Sequence, residues 1–248
     1  YGVGTPGEPT QGAGSVAMLI TQNPCIMAFN NDNVAQTRDI MDFWRPNYSS
    51  TPYVNGMYST QQYLDCLTTT WDEYKKRYDW TMDDFAAICF HLPYPKLALK
   101  GLRKMMDKTL SKEKQNSLQE NFDKSILYSQ MIGNIYTGSL FLGLLSLLEN
   151  AETLKAGDKI ALYSYGSGAV SEFFSGELVE GYEAYLDKER LSKLKQRTAL
   201  SVADYEKVFF EEVQLDESGS AQFAGYEYQD YALVEIVDHQ RRYSKVEK

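Results

Sequence analysis

Two histidines, three cysteines and one tight group of lysine and arginine are the side chains from which this 248-residue sequence could build proton-transfer, nucleophilic or phosphate-binding chemistry. His91 ends a short apolar run, Ala86-Ala-Ile-Cys-Phe-His-Leu92, and is followed closely by Pro93 and Pro95. A run of that length closed by prolines predicts a buried strand and then a helix start. Ligands of α/β sheets gather beyond the carboxyl ends of strands, so the imidazole stands where a ligand would meet it. The plainer alternative is a core histidine bonded to a backbone carbonyl. His239 lies in a charged terminal stretch and reads as a solvated surface residue.

Cys89 and His91 face the same side of the predicted strand, but residues two apart sit roughly 7 Å from one another. That is too far for the direct hydrogen bond by which a histidine activates a thiol, so Cys89 is expected in the core. Cys25, Cys66 and Cys89 are odd in number and lack C-x-x-C spacing, which argues against a disulfide framework or a zinc site. A reducing cytoplasm fits them best, with no metal and no cofactor.

Lys96 and Lys100 are spaced i, i+4 at the start of the predicted helix, where free N–H groups already favour anions. With Arg103 and Lys104 they form a local basic cluster, and a phosphate-bearing ligand beside His91 would use the first two. A solvated lysine face is the alternative. Asn134 introduces an apolar helix and either caps it or orients a substrate carbonyl. Gly166-Ser167-Gly168 follows a central-strand candidate and lets backbone N–H groups approach a ligand closely, although such a turn is more often a simple hairpin.

The elements that must position these groups are readable from periodicity. Residues 12–20, small and then apolar, predict an interior strand. Residues 30–56 predict a long ordered loop lining a pocket. Ser59-Thr-Gln-Gln62 has capping-box spacing and opens a helix carrying Tyr63, Leu67, Trp71, Tyr74 and Tyr78 on one side. Thr81 to Asp84 is a second cap-like turn before the His91 strand. Leu97, Leu102, Met105 and Met106 are the buried side of the next helix. Residues 116–131 predict one helix, and residues 137–148 a helix apolar on every face and therefore internal. Strands follow at 160–165 and 170–181, short helices near 188–196 and 202–211 with Ser201 as cap, and closing strands within 226–243. The order is a layered α/β arrangement in one large domain or two small ones.

Hydrophobic residues at 43% and charged ones at 24% are ordinary for a globular protein and exclude disordered and fibrous classes. A net charge of -9 disfavours nucleic acid and anionic membrane as partners. The longest apolar run, Ile135 to Leu148, is broken by polar and glycine residues and is shorter than the roughly 20 residues a membrane span needs. The chain opens on Tyr1 without a basic or apolar leader, and is expected to be the middle of a longer protein.

Five segments in order resemble the bacterial 3-hydroxy-3-methylglutaryl-CoA synthases of the thiolase superfamily: Gly7-Glu-Pro-Thr-Gln-Gly-Ala-Gly14, Asp42-Phe-Trp-Arg-Pro46, Phe90-His-Leu-Pro-Tyr-Pro-Lys96, Gly133-Asn-Ile-Tyr-Thr-Gly-Ser-Leu140 and Ser164-Tyr-Gly-Ser-Gly168. The resemblance implies a thiolase-like layered αβαβα fold, with residues 1–80 the end of its first half and 81–248 its second. It also implies condensation of acetyl-CoA with acetoacetyl-CoA and water to give the 3-hydroxy-3-methylglutaryl thioester and CoA, in the mevalonate route to isoprenoids, by a cytoplasmic homodimer. By the same resemblance His91 holds and polarises acetoacetyl-CoA, Asn134 positions the acyl group, and Lys96 and Lys100 contact coenzyme A. Tyr1, Thr10 and Phe43 match residues around the substrate pocket. Ser59 matches a serine at the CoA site, and Ser167 the serine near the acylated cysteine.

The cysteine nucleophile and the glutamate acid/base of that family have no counterpart in these residues, because Cys25, Cys66 and Cys89 stand in other contexts. The chain alone is therefore expected to be inactive and, with its first strand lacking neighbours, unstable. Two alternatives stand beside this reading: a condensing enzyme of the same superfamily that uses carrier-bound substrates, and a non-catalytic CoA-binding module.

Overall fold

The computed structural model describes residues 1–5, 7–107, 109–225 and 231–245, which divide into two compact units, Tyr1–Arg197 and Thr198–Lys248. The first unit begins with strands β1 (Met27–Phe29), β2 (Val34–Thr37), β3 (Phe43–Trp44) and β4 (Tyr53–Val54) and the long helix α1 (Gly56–Tyr78). Strand β5 (Ala87–Phe90) leads into α2 (Pro95–Met105), α3 (Lys112–Ser125), α4 (Leu127–Ile132) and α5 (Gly138–Asn150). Strands β6 (Lys159–Gly166) and β7 (Val170–Leu178) and the short helix α6 (Arg190–Lys195) complete it.

One mixed sheet organises this unit in the order β1-β7-β6-β5, with β2 also pairing β7. Strand β5 runs parallel to β6, and β6, β1 and β2 run antiparallel to β7. All four residues of β5 are buried, as a strand covered on both faces requires. Ile88 and Phe90 join Tyr63, Leu67, Trp71 and Phe122 on one side, whereas Ala87 and Cys89 meet Leu144, Leu147 and Leu148 of α5 on the other. Alternation along one strand thus feeds two cores, and the helices form layers on either side of the sheet.

Several local expectations need correction. Residues 12–20 form no strand: the segment is extended and mostly exposed, with Leu19 at 89% and Ile20 at 72% exposure, because no described strand lies alongside to pair its backbone. The loop at 30–56 contains the short strands β2, β3 and β4. Helix α1 starts three residues early, capped by Asn55, whose side chain accepts from the Tyr58 N–H at 3.1 Å. Ser59 therefore lies inside the first turn and does not cap.

The single helix expected at 116–131 is two, α3 and α4. The Ser146 hydroxyl of α5 inserts between them, donating to the Lys124 carbonyl at 2.6 Å and accepting from the Tyr128 N–H at 3.3 Å, in place of the direct i to i−4 bond. By contrast, the turn at Thr81 forms its capping box with Asp84, and α5 is buried along its length.

The second unit holds α7 (Val202–Phe210), capped by the Ser201 side chain, and an antiparallel sheet β10-β9-β8 built from β8 (Ala221–Gln222), β9 (Tyr231–Val237) and β10 (Gln240–Lys245). The strand expected at 226–230 lies outside the described residues. His239 occupies the exposed turn between β9 and β10 and not a strand, with φ at 64°.

Candidate functional site

A cavity of about 910 Å³ opens beyond the carboxyl ends of β5 and β6. Seven residues singled out from the sequence line it together: Tyr1, Thr10, Phe43, Ser59, His91, Asn134 and Ser167. Tyr1 and Phe43 meet edge to face with ring centroids 5.5 Å apart and form an aromatic wall. Tyr63, Tyr94, Tyr136, Thr137 and Tyr165 complete much of the lining and were not anticipated as site residues.

His91 continues the β5 pairing by one residue, its N–H donating to the Tyr163 carbonyl at 2.7 Å. The Tyr63 hydroxyl, from α1, donates to the His91 carbonyl at 3.0 Å. Tyr63 is itself wedged edge-on against Tyr163 and Tyr165, each with a centroid distance of 5.3 Å. Burial lowers the His91 pKa to about 4, against a smaller opposing effect of the Tyr136 backbone. The imidazole is thus neutral near pH 7, with one donor and one acceptor nitrogen.

Asn134 reaches the cavity where two segments of the chain, 10–12 and 132–134, cross in close contact. Its N–H donates to the Thr10 carbonyl at 2.9 Å and its carbonyl accepts from the Gly12 N–H at 3.0 Å. A β-carbon on Gly12 would lie 2.5 Å from the Gly133 carbonyl carbon, and Gly133 itself has φ of 89°. Both glycines are required for this approach. The Asn134 side chain does not cap α5: its Oδ1 accepts from the Tyr136 N–H at 2.8 Å, an Asx-type turn, and from the Ser139 hydroxyl at 2.9 Å.

Behind Ser59 and Ser167 lies Asp42, fully buried, which sequence reasoning passed over in favour of Phe43. Its Oδ2 accepts from Tyr165 and Ser167 at 2.8 Å each and from Ser59 at 3.2 Å, and its Oδ1 from the Gly168 N–H at 3.1 Å. Four donors satisfy a carboxylate that would otherwise be costly to bury. Burial, reinforced by the Asp42 acceptor, holds the proton on Tyr165. The Gly168 N–H is consequently engaged by Asp42 and is not free to form an oxyanion hole. The signal available was an acid directly before two aromatics, which must find donors if the aromatics draw it inside.

Lys96 and Lys100 do not line the cavity. They are exposed on α2, and the cavity is lined there by Leu97 of the helix and by Pro93 and Tyr94 just before it. Tyr94 precedes the helix without a side-chain cap, but Pro95 has no N–H and the Leu97 N–H donates to the Tyr94 carbonyl at 3.1 Å, so little of the first turn is left to hold an anion. None of the cysteines lines the cavity: Cys25 is exposed, Cys66 and Cys89 are buried, and burial pushes the Cys89 thiol up to about 12. Among the described residues no group of three or more His, Cys, Asp or Glu could hold a metal ion, and no helix is long and apolar enough to cross a membrane.

The family model of the hydroxymethylglutaryl-coenzyme A synthase C-terminal region matches residues 32–125 and 103–242. The chain belongs to this family. It is 50% identical over 218 residues to the hydroxymethylglutaryl-CoA synthase of Enterococcus faecalis, covering 87% of this chain and 56% of that protein. It is 31% identical over 210 residues to the polyketide biosynthesis 3-hydroxy-3-methylglutaryl-ACP synthase PksG of Bacillus subtilis, covering 82% and 49%. A crystal structure of HMG-CoA synthase complexed with CoA superposes with a TM-score of 0.91 at 65% identity, covering 99% of this chain and 63% of that one. MvaS in complex with 3-hydroxy-3-methylglutaryl coenzyme A follows at 0.75 and 30%, covering 100% and 65%. The fold is therefore the thiolase-like α/β fold of the HMG-CoA synthases. The chain spans about half the length of the curated relatives it matches.

Proposed function

We propose that the cavity binds acetoacetyl-CoA and that this chain supplies the acceptor side of 3-hydroxy-3-methylglutaryl-CoA synthesis. In that reaction acetyl-CoA, acetoacetyl-CoA and water give the product and CoA, as a step of mevalonate and isoprenoid formation. The observation that carries the proposal is that His91 and Asn134, 43 positions apart in sequence, line one cavity with Tyr1, Thr10, Phe43, Ser59 and Ser167. In this reading residues 1–80 belong to the first thiolase-like half and residues 81–248 to the second, and the working enzyme is a cytoplasmic homodimer.

His91 holds and polarises the acetoacetyl group. Asn134 donates to an acyl oxygen, and Lys96 and Lys100 meet the CoA phosphates outside the mouth, where α2 begins. Tyr1, Thr10 and Phe43 shape the pocket, Ser59 borders the CoA path, and Ser167 lies near the acyl-carrying thiol. CoA thioesters are substrates, and no separate cofactor is required. Carbon-carbon bond formation also needs a nucleophilic thiolate, and none of Cys25, Cys66 and Cys89 faces the cavity, so the proposal assigns that thiol and the general acid/base to residues other than these 248.

Equilibrium binding tests the reading. Acetoacetyl-CoA should bind the chain more tightly than CoA, and His91→Ala should abolish the difference; equal affinity of the wild-type chain for both ligands would sink it. The Bacillus subtilis relative is a 3-hydroxy-3-methylglutaryl-ACP synthase by name, which makes a carrier-bound thioester the second reading. Lys100→Ala should weaken binding of free acetoacetyl-CoA, whereas a carrier-dependent site would be indifferent to it.

A further inference from the structure

A residue outside the cavity lining shares in holding the Asn134 carboxamide. Ser139, the second residue of α5, is fully buried. Its hydroxyl accepts from the Ile135 N–H at 2.9 Å and lies 2.9 Å from the Asn134 side-chain oxygen. A backbone N–H can only donate, so the Ser139 oxygen is the acceptor towards Ile135, and its single proton is left for Asn134. The Tyr136 N–H, at 2.8 Å, points to the same Asn134 atom and is again donor only. The Tyr136 N–H requires that atom to be the carbonyl oxygen, since the opposite amide orientation would bring N–H against N–H, and the Ser139 hydroxyl then gives the same oxygen its second donor. The main chain of Asn134 is held independently by Thr10 and Gly12. The carboxamide NH2 group is then the part of Asn134 left for a ligand, and it can only donate.

We propose that Ser139 is a positioning residue whose hydroxyl, together with the Tyr136 N–H, holds the Asn134 carboxamide in place, so that Asn134 presents N–H donors alone to an acyl or thioester carbonyl oxygen in the cavity. The ligand half of this statement rests on the reading that Asn134 contacts a bound acyl group; the orientation half does not. A ligand with a hydroxyl donor in place of that carbonyl would gain nothing from Asn134. CoA itself, having no acyl oxygen, would be indifferent to Ser139.

The test uses the full 248-residue chain with three substitutions at Ser139. Ser139→Ala removes the hydroxyl, Ser139→Cys keeps the volume with a much weaker donor and acceptor, and Ser139→Thr retains the hydroxyl. In 15N–1H spectra of the unliganded chain, the Asn134 side-chain NH2 pair, assigned by its loss in Asn134→Ala, should be dispersed and sharp. It should move towards the positions of solvated amides in Ser139→Ala and Ser139→Cys, and stay in Ser139→Thr. In titrations, acetoacetyl-CoA should bind about tenfold more weakly to Ser139→Cys, the scale of one lost hydrogen bond to an acyl oxygen, with CoA affinity unchanged. An Asn134 pair unmoved by both Ser139→Ala and Ser139→Cys overturns the proposal, as does an equal loss of CoA and acetoacetyl-CoA affinity, which marks a general packing role. If Asn134→Ala leaves the preference for acetoacetyl-CoA intact while the NMR pair still responds to Ser139, the orientation stands and the ligand reading fails.

Discussion

The Tyr63 hydroxyl donates to the main-chain carbonyl of His91 at 3.0 Å, so helix α1 grips strand β5 at the residue whose side chain faces the cavity. The bond is made from inside an aromatic cluster, because Tyr63 also packs edge-on against Tyr163 and Tyr165. Tyr63→Phe keeps the ring and removes only the donor. It should lower the unfolding free energy by about 1 kcal/mol, the net worth of one intramolecular hydrogen bond. Tyr63→Ala should cost about 3–5 kcal/mol through the cavity it leaves. Urea titration separates the two, and a Tyr63→Phe protein as stable as wild type would show that the carbonyl finds another partner at no cost.

His91 makes stability depend on pH in a definite direction. Burial lowers its pKa from 6.5 to about 4, so between those values the unfolded chain holds the proton and the folded chain does not. The contribution of the neutral imidazole is complete above pH 6.5 and is lost as the pH falls towards 4. The linkage amounts to about 3 kcal/mol at most. His91→Gln, which cannot titrate, should therefore lose less stability than wild type between pH 7 and 4. With only His91 and His239 present, the imidazole proton resonances offer a direct check: a resonance assigned to His91 that titrates near 6.5 would contradict the burial argument.

Asp42 gathers Ser59, Tyr165, Ser167 and Gly168 around one carboxylate. Asp42→Ala removes the acceptor of four donors, of which the Tyr165 hydroxyl is buried while Ser59 is half-buried and Ser167 and Gly168 are exposed, and should destabilise by about 1–3 kcal/mol, the scale of one donor left unsatisfied in the interior. Asp42→Asn retains the shape but faces hydroxyl and backbone donors with an NH2 group at one position, so an intermediate loss is expected. Thermal melts of the two variants give the order directly. Acetoacetyl-CoA affinity should fall in both, since the Ser59 and Ser167 side chains lose the acceptor that aims them.

What could be read from the sequence follows from how local each cause is. The β5 strand, the proline start of α2, the Thr81 cap and the internal α5 are announced by short runs, and each forms where expected. His91 and Asn134 were singled out because a polar group bordering an apolar run must be accounted for. Ser146 could not be read as the cause of the break between α3 and α4, because it acts from 18 residues beyond Tyr128, and the expected single helix came from periodicity that spans the break. Asp42 is equally non-local, with three of its partners 123 to 126 positions away. Residues 12–20 carry a genuine strand signal, but strand formation needs a neighbour, and pairing is not a property of the segment itself.

The crossing of Gly12 over Gly133 gives the most local test of how the site is assembled. A β-carbon on Gly12 would stand 2.5 Å from the Gly133 carbonyl carbon, 2.6 Å from the Ile132 oxygen and 2.8 Å from the Asn134 nitrogen. All three are backbone atoms and cannot rotate aside, so in Gly12→Ala the two segments must separate. Separation weakens the bonds from Asn134 N–H to Thr10 and from Gly12 N–H to Asn134, and draws Asn134 away from Thr10 across the cavity floor. A stability loss of about 1–3 kcal/mol is expected, on the scale of one or two backbone bonds and residual strain. Gly14→Ala is the control two residues on, because its β-carbon would meet only Ile135 and Ile132 side chains, the nearest at 3.4 Å. It should be near neutral. If Gly12→Ala and Gly14→Ala melt at the same temperature and keep the same preference for acetoacetyl-CoA over CoA, then the close crossing does not position Asn134.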